Sequence, residues 1–185
     1  REARFPVILA GARSGDPRTV DALHALLRAT GLPVVETFQA AGIISRELEH
    51  HYLGRVGFAR NQPGDVLLHH ADLVLTVGYD PVEFVPAEWN AGKDRRIIHI
   101  DTVPADIDND YRPTVELVGD LATTLVDLLL AVDAAGLPLE RDAETARIVD
   151  RERTRLAENT DLGDPDHDDA FGLDPVAVVA GIRAA

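Results

Sequence analysis

The chain has no cysteine and no methionine, and only 5% of its 185 residues are aromatic. Without cysteine there are no disulfides and no thiolate-held metals, which fits a cytoplasmic protein. No apolar run approaches the roughly 20 residues needed to span a bilayer. The charged start Arg1-Glu2-Ala3-Arg4-Phe5 also lacks the apolar stretch of a signal peptide. Positive charge is scarce too. The formal net charge is −14, which argues against nucleic acid and anionic membranes as partners. The excess is spread along the chain, −8 over residues 1–137 and −6 over 138–185, as on an acidic, solvated enzyme surface. A chain that opens on Arg1 and enters a strand-like run almost at once reads as a piece of something longer.

What is present is organised around Asp72-Leu73-Val74-Leu75-Thr76-Val77-Gly78-Tyr79-Asp80. An unbroken apolar run rich in β-branched residues suits a strand covered on both faces, as in the middle of a parallel sheet. Gly78 and Pro81 end it, and Pro81 keeps Asp80 out of helical dihedrals. Ligands of open α/β sheets bind beyond the carboxyl ends of the strands, so Tyr79 and Asp80 are expected to point at that crevice.

The remaining segments alternate between strand and helix patterns. Strands are expected at 6–10, 33–38, 52–58, 96–101 and 114–120, in addition to the central run. Asp16-Pro17 has the N-cap carboxylate and first-turn proline that open a helix, and Gly31 its stop. Ser45 is expected to cap a short helix, and residues 61–71 to form another. Segment 81–94 reads as a long loop with one helical turn. Asp120 caps a helix whose Leu121, Leu125, Leu128, Leu129 and Val132 face the sheet. This pattern predicts an α/β fold: a three-layer, Rossmann-like, doubly wound parallel sheet of about six strands, in the order 3-2-1-4-5-6. Residues 1–137 form that domain. Residues 138–172 are a charged helix, with Ile148, Val149 and Leu156 as a narrow contact stripe, followed by an acidic linker. Residues 173–185 look like the truncated start of a further domain.

Gly11-Ala12-Arg13-Ser14-Gly15 lies where a phosphate-binding turn would lie, with a plain strand–helix turn as the alternative. It lacks G-x-G-x-x-G, and Asp16 would repel a phosphate. Asp101 resembles the ribose-binding acid of dinucleotide folds but follows the wrong strand, while Glu36 is nearer that place yet inside a strand. His50-His51 and His69-His70 are adjacent pairs, without the spacing that puts two ligands on one helix face, and read as surface or interface histidines. Asp164 to Asp169 lacks the glycine and the final glutamate of a calcium loop. No nucleophile motif and no metal-spaced cluster stands out.

Longer blocks carry a more specific signal. Glu36-Thr37-Phe38-Gln39-Ala40-Ala41-Gly42, Ser45 to Glu49, Gly54-Arg55-Val56-Gly57-Phe58-Ala59-Arg60-Asn61-Gln62-Pro63-Gly64-Asp65 and Ala71 to Glu83 resemble the central domain of thiamine-diphosphate enzymes. Within that family they are most similar to acetolactate synthases of the catabolic, FAD-independent type. His99-Ile100-Asp101 and Val118-Gly119-Asp120 complete the resemblance, which covers residues 5 to 135.

The resemblance implies a full enzyme that uses thiamine diphosphate and Mg²⁺ to condense two pyruvates to acetolactate with loss of CO2. Both cofactors, and the activating glutamate, would be held by N- and C-terminal domains of the same chain, in a homo-oligomer (dimer or tetramer). Residues 173–182 would open the C-terminal one, and the present piece would be inactive alone. FAD-carrying relatives have Gly-x-Arg-Phe-Asp-Asp-Arg where this chain has Gly78-Tyr79-Asp80-Pro81-Val82-Glu83-Phe84. An acid at Asp80 would repel a flavin diphosphate, so no FAD is expected. Gly11, Arg13, Ser14, Gly78, Tyr79, Asp80 and Asp101 would line a vestigial crevice filled by side chains or water. The motif places Phe58, Arg60 and Gln62 nearest the active-site funnel, with loop packing and helix capping as the alternative. Two other classes stay open: an FAD- or NAD-binding Rossmann-like domain of another thiamine-diphosphate enzyme, an oxidoreductase or a deacylase, and a purely structural domain with interdomain surface left bare.

Overall fold

The computed structural model describes residues 3–57, 61–136 and 142–160, and helical positions 178, 179, 181 and 182. Six parallel strands form one sheet: β1 (Pro6–Ala10), β2 (Val34–Glu36), β3 (Tyr52–Arg55), β4 (Leu73–Val77), β5 (Arg96–Asp101) and β6 (Val115–Val118). Their order is β3-β2-β1-β4-β5-β6, as predicted. The central strand pairs on both sides, Leu75 lying opposite Ile8 on β1 and Ile98 on β5.

Successive residues of a strand point to opposite faces, and the core divides accordingly. Ile8 and Ala10 of β1 meet Leu75 and Val77 under α1 (Pro17–Thr30) and α4 (Leu121–Ala134). Val7 and Leu9 meet Val74, under α2 (Pro63–His70) with Trp89 of the short α3 (Pro86–Trp89). The helix signals behave as their chemistry requires. Asp16 accepts from the amides of Arg18 and Thr19, and Gly31 closes α1 in the left-handed region at φ 67°. Asp120 accepts from the Thr123 amide at the start of α4.

Three strands are shorter than predicted, because the chain leaves the sheet to make turns. After Glu36 only Thr37 continues the ladder, through its amide to Ala10, before a 3-10 turn at Phe38–Ala40. Gly54 (φ 94°), inside β3, accompanies a register shift against β2, and Gly57 (φ 81°) turns the chain away after Arg55. β6 stops at Val118, four residues long. Ser45 precedes a 3-10 turn at Arg46–His51 but does not cap it; its buried hydroxyl has no partner among the described residues.

The charged helix α5 (Ala143–Thr160) packs on the second core through fully buried Val149 with Ile148 beside it. Its Glu152, only 1% exposed, is held between Arg151 and Arg155, and Arg155 reaches back to the Asn61 carbonyl. This buried carboxylate was not expected on a charged face. The acidic segment 161–169 lies outside the described residues. No helix among them is long and apolar enough to cross a membrane.

Candidate functional site

The switch point lies where β1 and β4 run side by side and their following segments diverge to opposite faces. The turn Ala12–Gly15 after β1 presses directly on Gly78 after β4. A Cβ on Gly11 would fall 2.5 Å from Tyr79 Cα, and one on Gly78 2.6 Å from the Ser14 nitrogen. Both glycines are therefore used for contact of chain with chain, and Gly78 also for φ 59°.

A phosphate cradle needs free amides, and this turn has none between Gly11 and Ser14. The Gly11 amide donates to Val77, that of Arg13 to Gly78 and that of Ser14 to Gly11. The Ala12 amide donates to the carboxylate of Glu83, 3.0 Å away. The buried Ser14 hydroxyl turns inward to the Gly11 carbonyl at 2.6 Å. The geometry is that of the plain strand–helix turn.

Arg13 fills the opening beside it. Its Nε lies 2.9 Å from Asp101 Oδ1, its Nη2 2.8 Å from Asp101 Oδ2, and its Nη1 3.0 Å from Asp80 Oδ2. Nη2 also donates to the Tyr79 carbonyl at 2.6 Å. Asp101 is wholly buried while Asp80 is 38% exposed. The Asp101 hydrogen bonds raise the Arg13 pKa most, against a desolvation penalty that lowers it. The Val82 amide, then Arg13, lowers that of Asp80. The expected repulsion by Asp80 needs correction, because its charge is answered by Arg13.

The carboxylate that does occupy anion-binding donors is Glu83. Besides the Ala12 amide, its Oε2 accepts from the Thr37 hydroxyl at 2.8 Å, and its Oε1 from the Gln39 amide at 3.2 Å. One side chain from the loop after β4 thus ties down the turns after β1 and β2. Reasoning from sequence missed this role; Glu83 stood in a recognised block, but nothing in its spacing reveals its partners.

Tyr79 does not face the crevice, which corrects that expectation. It is 1% exposed and packs among Trp89 and Tyr111, with ring centroids 6.1 and 5.6 Å away. Its hydroxyl donates to the Phe84 carbonyl and accepts from Trp89 Nε1 at 3.1 Å. Tyr111 extends this network to Thr76 and His99. The reason is geometric: the left-handed turn at Gly78 sends the next side chain into the second core.

Glu36, at the end of β2, is also buried. It accepts from the Tyr52 hydroxyl at 2.8 Å and Arg55 Nε at 3.3 Å. Desolvation nonetheless pushes its pKa up. Gln62 stands at the N-cap of α2, its amide donating to Asp65 at 3.1 Å. Phe58 and Arg60 lie outside the described residues. The structure thus gathers Gly11, Arg13, Ser14, Gly78, Asp80 and Asp101 at one place and removes Tyr79 from it. No cluster of three or more histidine or acidic side chains able to hold a metal occurs among the described residues.

Residues 1–128 match the family model for the central domain of thiamine pyrophosphate enzymes. The chain belongs to that family. This central domain is 46% identical, over 84% of its length, to an acetolactate synthase of Bacillus subtilis. It is 35% identical over 83% of its length to the catabolic acetolactate synthase of Raoultella terrigena. Similarity to an acetolactate synthase of Mycobacterium leprae is lower, 29% over 69% of the chain. The matches cover 25%, 27% and 20% of those proteins, so the chain spans about a quarter of the length of the relatives it matches.

Proposed function

We propose that this chain is the central domain of a catabolic-type acetolactate synthase that works without flavin. The longer protein condenses two pyruvates to acetolactate with release of CO2, in the cytoplasm. Bound thiamine diphosphate supplies the carbanion chemistry. It and Mg²⁺ belong to N- and C-terminal domains outside the sheet domain of residues 1–137, with 138–172 as connection and 173–185 as the start of the C-terminal one. The piece alone is inactive.

The observation that carries the flavin-free reading is the commitment of the turn's amides and of Arg13's charge to partners within the chain. Every amide from Gly11 to Ser14 is bonded within the chain, one of them to Glu83. Arg13, the cation nearest a would-be diphosphate, gives four of its five N–H groups to Asp101, Asp80 and the Tyr79 carbonyl, so its charge is answered by two acids. A diphosphate entering there would meet the Glu83 charge, whose three donors are all neutral groups. The residues present do not fit the flavin.

The chain's own contribution is to present Gln62, fixed by Asp65 at the start of α2, towards the active-site funnel. Apolar groups left exposed, Val115 and Val118 on β6 with Val126 and Leu130 on α4, suit burial against other domains or a second subunit. The deciding experiment is expression of the full-length protein with thiamine diphosphate and Mg²⁺. Acetolactate from pyruvate without added flavin is expected; a strict flavin requirement, or no acetolactate, would overturn the assignment.

A further inference from the structure

The Glu83 contacts support a conclusion that does not depend on the enzyme reading. We propose that the turns after β1 and β2 form a binding site for a small carboxylate, which this chain fills from within. The donors come from two loops distant in sequence from Glu83: 71 residues for Ala12, 46 for Thr37 and 44 for Gln39. This is tertiary convergence and not the local geometry of one turn.

Both carboxylate oxygens accept, Oε2 from the Ala12 amide and the Thr37 hydroxyl, Oε1 from the Gln39 amide. The Thr37 side chain is fully buried, so its hydroxyl has no bulk water to turn to. Three neutral donors aimed at a planar, two-oxygen acceptor define a carboxylate site. An amide does not fit, since its NH2 group would oppose one of the donors. The neighbouring amides point inward and the Gly11–Gly78 contact closes the floor. The three donors therefore match one carboxylate, and the other amides of the turn, bonded within the chain, offer a diphosphate nothing further.

The test is thermal unfolding of the chain and of its Glu83→Ala and Glu83→Gln variants, titrated with sodium formate against sodium chloride of equal ionic strength. Glu83→Ala should melt lower than the parent and regain stability with formate. The gain should grow as the logarithm of formate concentration above the dissociation constant, reaching about 3–6 °C at ten times that constant. The parent, whose site is filled, and Glu83→Gln, whose amide blocks it, should respond no more to formate than to chloride. Glu83→Gln should also melt below the parent. If Glu83→Ala does not fold in chloride, recovery of folded protein on refolding in formate replaces the melting curve. The proposal is overturned if formate acts alike on all three chains, if Glu83→Ala neither gains stability nor recovers with formate, or if Glu83→Gln is as stable as the parent.

Discussion

Replacing Arg13 with alanine should expose the electrostatic design of the switch point. The substitution removes three hydrogen bonds to Asp101, one to Asp80 and one to the Tyr79 carbonyl. Breaking a buried ion pair costs about 3–5 kcal/mol, because the remaining charge is left uncompensated. Asp101 retains the Thr102 amide at 2.6 Å and hydroxyl at 3.3 Å, which argues for the lower end, about 3 kcal/mol. The more exposed Asp80 pair adds at most about 1 kcal/mol. Urea unfolding followed by far-ultraviolet circular dichroism measures the loss. Combining Arg13→Ala with Asp101→Asn should recover about 1–2 kcal/mol relative to the sum of the single changes, since the orphaned charge is gone. A loss below about 1 kcal/mol, or strictly additive single changes, would refute the view that Arg13 neutralises a buried acid.

Glu36→Gln tests the buried acid on β2. Burial raises the folded pKa of Glu36 above its ordinary value, so the native state binds the extra proton. Its contribution to stability is then fully present at low pH, falls as pH rises from about 4.5 through the raised value, and stays lost above it. The glutamine variant should lack that decline, so the ratio of its stability to the parent's should rise with pH; equal pH profiles would contradict the assignment. Gly78→Ala should cost at least about 3 kcal/mol, since the Cβ meets the Ser14 nitrogen at 2.6 Å on a left-handed backbone. A melting point close to the parent's would show that the turn can move aside. Tyr79→Phe strands the buried Trp89 N–H and should cost about 1–3 kcal/mol, measured by urea unfolding. An unchanged midpoint would mean that the indole finds another acceptor.

Strand and helix alternation could be read from local sequence, and the order 3-2-1-4-5-6 followed as the natural topology of such an alternation. The unbroken Leu73–Val77 run demanded two covered faces, and the helix caps at Asp16 and Asp120 marked the strand–helix alternation of a doubly wound parallel sheet. Side-chain direction beyond the strands could not be read the same way. Tyr79 and Asp80 are neighbours in the same Gly-Tyr-Asp-Pro turn, yet one is core and the other faces Arg13. That choice is made by φ 59° at Gly78, a consequence of the β1 turn pressing on it. The Glu83 tether and the buried Glu152 on a charged helix were equally hidden, since their partners are distant in sequence or masked by a solvated-looking pattern. Arg13 was placed in the crevice from sequence, but its pairing with Asp101 and Asp80 required coordinates.

The central proposal is that the chain's own side chains take the place of a flavin diphosphate at its switch point. Titration of FAD into the purified chain, followed by quenching of flavin fluorescence, tests it directly. The closed crevice predicts no saturable quenching; stoichiometric binding of FAD at micromolar concentration would contradict it.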